Sequence, residues 1–390
     1  MTPPYRMSKP KLFLAVNVDW FFLSHRLPIA LEALKRGYEV TIFTIDTGKK
    51  AEIECYGLRC VSLPTSRSGT NILQELKVIA LLWRYYKKEK PDIIHHVALK
   101  PVTYGSIVCR FLKIKNVTNA LSGMGFLFAN PENPTFTRRI LLFLFKIAFK
   151  NPSLKFIFQN EDDLNIIVDS GVVDKKQCYI IKGSGVSLEE FAYSLESNGE
   201  KVRFVLPARM LTDKGVVEYV EAAKTVGAKY PNKAQFILAG AIDMGNKAGI
   251  PEQQIKNWET EGFVEYIGFH TDMVKVVKES NVIVLPSYRE GLPKSLIEAC
   301  AIGRAIVTTD VTGCRDVVTE GVNGFIVPAK NHQALAEAME KLLLDKELRV
   351  KMGKKGREIA EKEFSIDGVI DKTFEIYSII RRDSYRNGRN

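Results

Sequence analysis

Short runs of β-branched and aromatic residues alternate with segments of helical period along the whole chain. Lys11 to Val16 reads as a strand, Leu23 to Arg36 as a helix closed by Gly37, and Glu39 to Thr44 as the next strand. A helix over Ile72 to Lys88 follows, then the strand Asp92 to Val97 and the helix Val102 to Phe111. Val117 to Leu121 and Lys155 to Gln159 are further strands. The rhythm pauses around Gly183-Ser184-Gly185 and the polar stretch Ser194 to Lys201, then restarts. Strands are expected at Val202 to Leu206, Gln235 to Ala239, Val264 to Ile267, Val282 to Leu285, Ala305 to Thr309 and Gly324 to Val327. Helices are expected at Val216 to Lys229, Lys294 to Ala301 and from His332 to about Arg381. Such βαβα alternation indicates parallel, doubly wound sheets. Two α/β domains are expected, 1–185 and 186–365, followed by a helical segment over 366–390. Ligands of such sheets bind at the carboxyl ends of strands, and a cleft between two domains is the natural site.

The richest chemistry lies in Val284-Leu285-Pro286-Ser287-Tyr288-Arg289-Glu290-Gly291-Leu292-Pro293-Lys294-Ser295-Leu296-Ile297-Glu298. A buried strand ends at Pro286, a tight loop follows, and Pro293 or Lys294 opens a helix, where Pro fits the first turn. The unpaired N–H groups of that turn suit an anion. Glu290 in the loop and Glu298 one turn into the helix can accept hydrogen bonds from sugar hydroxyls. Arg209-Met210-Leu211-Thr212-Asp213-Lys214-Gly215 follows the strand Val202 to Leu206. Its Arg offers a planar fork and its Lys a point charge, which together suit a diphosphate, and Gly215 lets the backbone turn closely.

These motifs resemble those of the retaining GT-B glycosyltransferases of family 4. Arg209 and Lys214 match that family's R-x4-K pattern, and Glu290 and Glu298 its E-x7-E motif. Gly183-Ser184-Gly185-Val186-Ser187 resembles its interdomain turn, with Ser187 in the place of Asp. Val311 to Asp316 and Gly321 to Phe325 resemble its closing segments. The resemblance implies two Rossmann-like domains facing a central cleft, with the C-terminal helix and tail crossing back to the first domain. It implies a nucleotide-sugar donor in the second domain. Arg209 and Lys214 would neutralise the leaving diphosphate, Glu290 and the amides of Gly291, Leu292 and Pro293 would hold the donor sugar, and Glu298 the ribose. Glu290, Arg209 and Lys214 are thus the expected catalytic set. No D-x-D motif is present, in keeping with a metal-independent enzyme without a cofactor. The acidic cluster Glu161-Asp162-Asp163 is better explained as complementing a helix start.

In the N-terminal half, Asp19-Trp20-Phe21-Phe22-Leu23-Ser24-His25-Arg26-Leu27-Pro28 follows the first strand in place of a Gly-rich loop. This segment, with Leu99-Lys100-Pro101 and Ser122 to Phe128, resembles a bacterial subgroup that extends sugars on undecaprenyl diphosphate, including PglA-like N-acetylgalactosaminyltransferases. The subgroup implies transfer of a hexose or N-acetylhexosamine from a UDP-sugar to a lipid-diphosphate-linked acceptor, in assembly of a surface polysaccharide or glycoprotein glycan. Asp19, Arg26, Lys100 and Ser122 are the expected acceptor-binding residues. Asp19 equally suits a helix cap, and Arg26 and Lys100 equally suit solvated helix ends. Several retaining relatives carry a His where Ser122 stands. His25, His95 and His96 are nearby, the last two as site residues or as satisfied core histidines.

Composition sharpens this picture. The 390 residues are 46% hydrophobic and 26% charged, which excludes a disordered chain. The net charge of +11 falls unevenly. Residues 1–190 hold 27 basic and 17 acidic residues, and residues 191–390 hold 29 and 28. The basic half is the acceptor half, which suits an anionic membrane. Thr135 to Lys150 reads as a helix with Arg139, Lys146 and Lys150 on one face and apolar residues on the others, either an interfacial helix or a core helix with a solvated edge. The longest apolar run, Ile140 to Phe149, is too short to span a bilayer. Six scattered cysteines without zinc spacing, and no signal-peptide apolar core in Met1 to Pro10, point to the cytoplasm. The expected location is therefore peripheral, on the inner face of the cytoplasmic membrane. Two other readings stand beside this one: a GT-B-fold enzyme acting on a soluble sugar, and a basic nucleic-acid-binding protein. Against the second, no helix-turn-helix or RNA-binding aromatic signature is present, and no nucleic-acid partner is expected.

Overall fold

A computed structural model describes residues 9–65, 72–122, 136–197, 199–243 and 245–387. The chain divides into two compact units, Met1–Ser184 with Val369–Asn390, and Gly185–Gly368.

Unit 1 begins β1 (Lys11–Val18), α1 (Asp19–His25), α2 (Leu27–Lys35), β2 (Glu39–Ile45), α3 (Lys50–Cys55) and β3 (Arg59–Ser62). It continues with α4 (Ile72–Glu89), β4 (Ile93–Val97), α5 (Leu99–Phe111), β5 (Val117–Leu121), α6 (Phe136–Ala148), β6 (Lys155–Phe158), α7 (Glu161–Asp169) and β7 (Cys178–Ile180). Its seven strands lie in the order β3-β2-β1-β4-β5-β6-β7 and pair in parallel. β4 is buried at every position, as a central strand covered by helices on both faces must be.

The expected helix Leu23 to Arg36 is two helices. Arg26 leaves helical geometry, with φ −130° and ψ −10°. Pro28 explains the break: it has no N–H to give Ser24, and its ring would press on that carbonyl. At α7, Asn160 is the cap, accepting from the Asp163 amide at 2.7 Å, and the acidic cluster fills the first turn.

Unit 2 runs β8 (Val202–Pro207), α8 (Val216–Lys229), β9 (Ala234–Ala239), α9 (Glu252–Thr260), β10 (Glu265–Gly268), α10 (Met273–Lys278), β11 (Val282–Leu285), α11 (Lys294–Ile302), β12 (Ala305–Thr309) and β13 (Gly324–Val327). α12 (His332–Leu344) and α13 (Lys346–Ile359) follow. α14 (Ile366–Asn387) carries the chain into unit 1. The sheet order is β10-β9-β8-β11-β12-β13, again parallel. The expected continuous helix from His332 is interrupted at Asp345, which caps α13 by accepting from the Leu348 amide at 2.8 Å.

In unit 1 the strand order reverses between β1 and β4, and in unit 2 between β8 and β11. Each reversal opens a crevice at the carboxyl ends of those strands, because the following helices leave to opposite faces. Asp19 and Lys100 follow β1 and β4. Arg209 and Ser287 follow β8 and β11.

Candidate functional site

In unit 2, the loops after β8 and β11 are laced together. A 3-10 turn over Thr212–Lys214 leads to Gly215, whose φ of 71° and ψ of 26° are left-handed. A Cβ there would stand 2.1 Å from the Pro286 carbonyl oxygen, so only Gly allows this approach. The approach brings Lys214 Nζ to 2.5 Å from Glu290 Oε1. Ser287 Oγ donates to the same oxygen at 2.7 Å. The Tyr288 amide donates to the Asp213 carbonyl at 2.9 Å, and the Tyr288 hydroxyl to Glu218 at 2.6 Å. The loop after β12 closes over this one: the Glu290 amide donates to the Thr312 carbonyl at 3.2 Å. Gly313, with φ 83°, packs on the carbonyls of Glu290 and Gly291.

Lys294 opens α11, with Pro293 at its cap and no side chain capping the helix. Pro293 has no N–H, so it adds nothing to the amide set expected of Gly291, Leu292 and Pro293. Glu298 is 6% exposed, with Lys294 Nζ 3.4 Å away. Burial pushes its carboxyl pKa up, against the pull of Lys294. Arg209 has a partner the motif did not reveal: it donates to Asp243 at 2.5 Å.

In unit 1, Asp19 is fully buried and its carboxylate is saturated. It accepts from the amides of Trp20 (2.7 Å), Thr47 (2.5 Å) and Lys49 (3.1 Å) and from the Thr47 hydroxyl (2.6 Å). Burial would raise its pKa, but these bonds outweigh it and hold the group below the usual carboxylate range. Asp19 therefore fastens the loop after β2. It neither caps α1, whose cap position is Val18, nor keeps a lone pair for an acceptor hydroxyl. Arg26 and Ser122 come together, with the guanidinium 3.2 Å from Ser122 Oγ and 3.0 Å from the His25 carbonyl. Arg26 is 5% exposed, and burial lowers its pKa to about 10. Among the described residues it makes no ion pair. Lys100 instead pairs with Glu75 at 2.6 Å. The rest of the expected motif, Gly123 to Phe128, lies outside the described residues, as does Thr135.

His95 and His96 belong to the packed interior. His95 Nδ1 lies 2.7 Å from the Tyr377 hydroxyl. His96 lies 2.8 Å from Asn119 Oδ1 and 3.1 Å from the Tyr86 hydroxyl. Burial holds both below the usual imidazole pKa, His96 at about 4. His25 stacks on Phe21 with ring centroids 4.2 Å apart and lies 2.6 Å from Ser24 Oγ. Ala98, at the carboxyl end of β4, has φ 74° and ψ 163°, a region that only Gly enters without strain. Such strain concentrates at ligand sites, and it falls here at the strand-order reversal of unit 1.

Two family models match the chain: glycosyl transferase 4-like over residues 11–160, and glycosyl transferases group 1 over residues 189–359. The chain belongs to the GT-B glycosyltransferases. This glycosyltransferase is 29% identical over 355 residues to the N,N'-diacetylbacillosaminyl-diphospho-undecaprenol alpha-1,3-N-acetylgalactosaminyltransferase of Campylobacter jejuni, covering 85% of this chain and 91% of that protein. It is 22% identical to the UDP-Gal:alpha-D-GlcNAc-diphosphoundecaprenol alpha-1,3-galactosyltransferase of Escherichia coli, covering 87% and 89%. In fold it is similar to the crystal structure of a glycosyltransferase from Rickettsia africae, with a TM-score of 0.78, 17% identity, and 96% and 99% coverage.

Sequence reasoning missed four parts of the glycosyltransferase's two crevices: Asp243, Glu218, the Ser287 hydroxyl on Glu290 and the strained Ala98. Ser287 and Tyr288 stand inside the quoted motif, three and two residues before Glu290. The other partners arrive from neighbouring strands, and no local pattern marks them.

Proposed function

We propose that this glycosyltransferase moves a hexose or N-acetylhexosamine from a UDP-sugar to a sugar linked to undecaprenyl diphosphate, with retention of anomeric configuration. The observation that carries this reading is the joined set of Lys214, Glu290 and Ser287 at the strand-order reversal of unit 2, with Arg209 on the loop after β8 and Glu298 on α11. The Campylobacter and Escherichia relatives, both named for diphospho-undecaprenol substrates, support the choice of acceptor.

In this mechanism the acceptor hydroxyl attacks the anomeric carbon on the face from which the diphosphate departs. The C–O bond to phosphate breaks, and the hydroxyl proton passes to the leaving phosphate oxygen. Negative charge grows on the diphosphate, and fixed cations aimed at growing charge are a large source of catalysis. Arg209 and Lys214 supply them without a metal ion, turning from Asp243 and Glu290 toward the phosphates. Glu290 then accepts from donor-sugar hydroxyls and Glu298 from the ribose. In unit 1, Arg26 with Ser122, and Lys100, take the acceptor side, while Asp19 shapes the loop beside them. The enzyme works at the inner face of the cytoplasmic membrane. Among the described residues no helix is long and apolar enough to cross it.

The test is transfer from UDP-sugars to matched lipid-diphosphate-linked and soluble acceptors. Lys214→Ala and Glu290→Ala should each cut turnover roughly 100- to 1,000-fold, with the circular dichroism spectrum unchanged. Full turnover in either variant refutes the site, and equal turnover of soluble acceptors refutes the lipid-linked acceptor.

A further inference from the structure

Exposed large apolar side chains gather on one side of unit 1. Leu76 and Trp83 stand on α4, Phe111 ends α5, and Ile140 and Phe143 stand on α6. α4 packs on α5 and α5 on α6, and the Trp83 and Phe111 ring centroids are 6.5 Å apart. Phe111 is 62% exposed and Phe143 63%. These side chains are therefore presented to the outside, whereas Phe145 and Ala148 of the same α6 are buried in the core. The sequence left α6 open between an interfacial helix and a core helix; in the structure one side of it packs in the core and Ile140 and Phe143 stand exposed on another.

The polar residues of this surface are cations. Leu76 and Trp83 are seven residues apart, about 20° around the helix, so they form one stripe. Lys77 and Arg84 repeat the same spacing one position further round and are exposed beside it. On α6, Arg139 and Lys146 flank Phe143, four residues before and three after. Lys113 and Lys115, exposed, follow Phe111. No exposed Asp or Glu stands among the described residues of α4, α5 and α6. The two acids present, Glu75 and Glu89, are engaged by Lys100 and Arg59.

A polynucleotide would use the cations and leave Leu76, Trp83, Phe111 and Phe143 wet. A bilayer with acidic headgroups uses both: apolar side chains enter the acyl boundary, and cations meet the phosphates. We propose that this composite face of α4, α5 and α6 is a docking surface for an anionic lipid bilayer. It deepens the lipid-linked acceptor reading, but rests on residues outside the two crevices.

The experiment uses the full chain with phosphatidylcholine vesicles, with and without phosphatidylglycerol. Two double variants, Trp83→Ser/Phe143→Ser and Lys113→Glu/Lys146→Glu, probe the apolar and the charged parts. The wild type is expected to co-sediment with phosphatidylglycerol vesicles, and each double variant to lower its partition at least roughly tenfold. An unchanged circular dichroism spectrum and melting temperature in the variants show that the fold of unit 1 is intact. Equal binding to neutral vesicles, or wild-type partition in both variants, overturns the proposal. So does salt-sensitive RNA binding by this face without vesicle binding. Turnover of a lipid-linked acceptor with vesicle binding indifferent to these variants sinks the face and spares the acceptor. Vesicle binding through the face with turnover of soluble acceptors alone does the reverse.

Discussion

Glu298→Gln is expected to move stability and donor affinity in opposite directions. The side chain is buried among apolar residues of α11, with one cation, Lys294, 3.4 Å away. Burial raises the folded-state pKa above the ordinary 4.5, and Lys294 only partly offsets this. A carboxyl raised in the folded state favours folding below the unfolded pKa and loses that advantage as pH rises through the folded one. At pH 7 the carboxyl therefore carries a folding cost that the amide lacks. Losing the Lys294 contact costs at most about 1 kcal/mol, since Lys294 is partly exposed. The melting temperature should thus rise at pH 7 and match the wild type near pH 4. Donor affinity should fall, because a hydrogen bond to a charged acceptor is worth about 1.5–3 kcal/mol, roughly ten- to a hundredfold in Kd. Thermal unfolding at the two pH values and calorimetric titration with UDP measure the two effects. Unchanged UDP affinity refutes the ribose role, and a lower melting temperature at pH 7 refutes the energetic account of burial.

Arg349 and Glu196 form a bidentate pair at 2.9 Å, each side chain 6% exposed, and Arg349 also caps α12 at the Leu342 carbonyl. Arg349→Ala should cost about 3–5 kcal/mol in urea unfolding, because it strands a buried carboxylate; a loss under 1 kcal/mol would contradict this. His96 is held neutral by burial, so its contribution is complete above pH 6.5 and lost as pH falls through about 4. His96→Asn should flatten the stability slope across that window by up to about 1.4 kcal/mol per pH unit, and an unchanged slope would exclude His96 as the proton acceptor. Gly215→Ala should push α8 off the Pro286 carbonyl and part Lys214 from Glu290, so kcat should drop far more than in Gly37→Ala, where nothing lies within 4 Å.

The alternation of strands and helices was legible because the central strands are short runs rich in apolar and β-branched residues. Val117–Leu121, Val282–Leu285 and Ala305–Thr309 lie where the hydrophobic pattern put them. The short elements α3, β3, β7, α9 and α10 were not. α9, for example, buries only Ile255 and Trp258, too few to set a period. In the candidate site, Lys214 and Glu290 were legible as separate motifs, but their contact depends on the parallel pairing of β8 with β11. Asp243 reaches Arg209 because β9 lies beside β8, and Thr47 reaches Asp19 because β2 lies beside β1. Local spacing cannot report a partner delivered by the next strand of a sheet.

The apolar core beneath β1 contains Leu12 and Leu14, and it also contains Phe374, Tyr377 and Ile380 of α14. β1 is thus completed by α14, which leaves the ribosome only after the residues of unit 2. Unit 2, encoded wholly between them, has its full complement of residues while unit 1 still lacks a wall. Domains ordinarily fold from the N-terminus onward during synthesis; in this chain the order of completion is inverted. A message truncated shortly after Gly368 would yield a whole unit 2 tethered to a unit 1 with bare hydrocarbon on one side, a product for chaperones and proteases to clear.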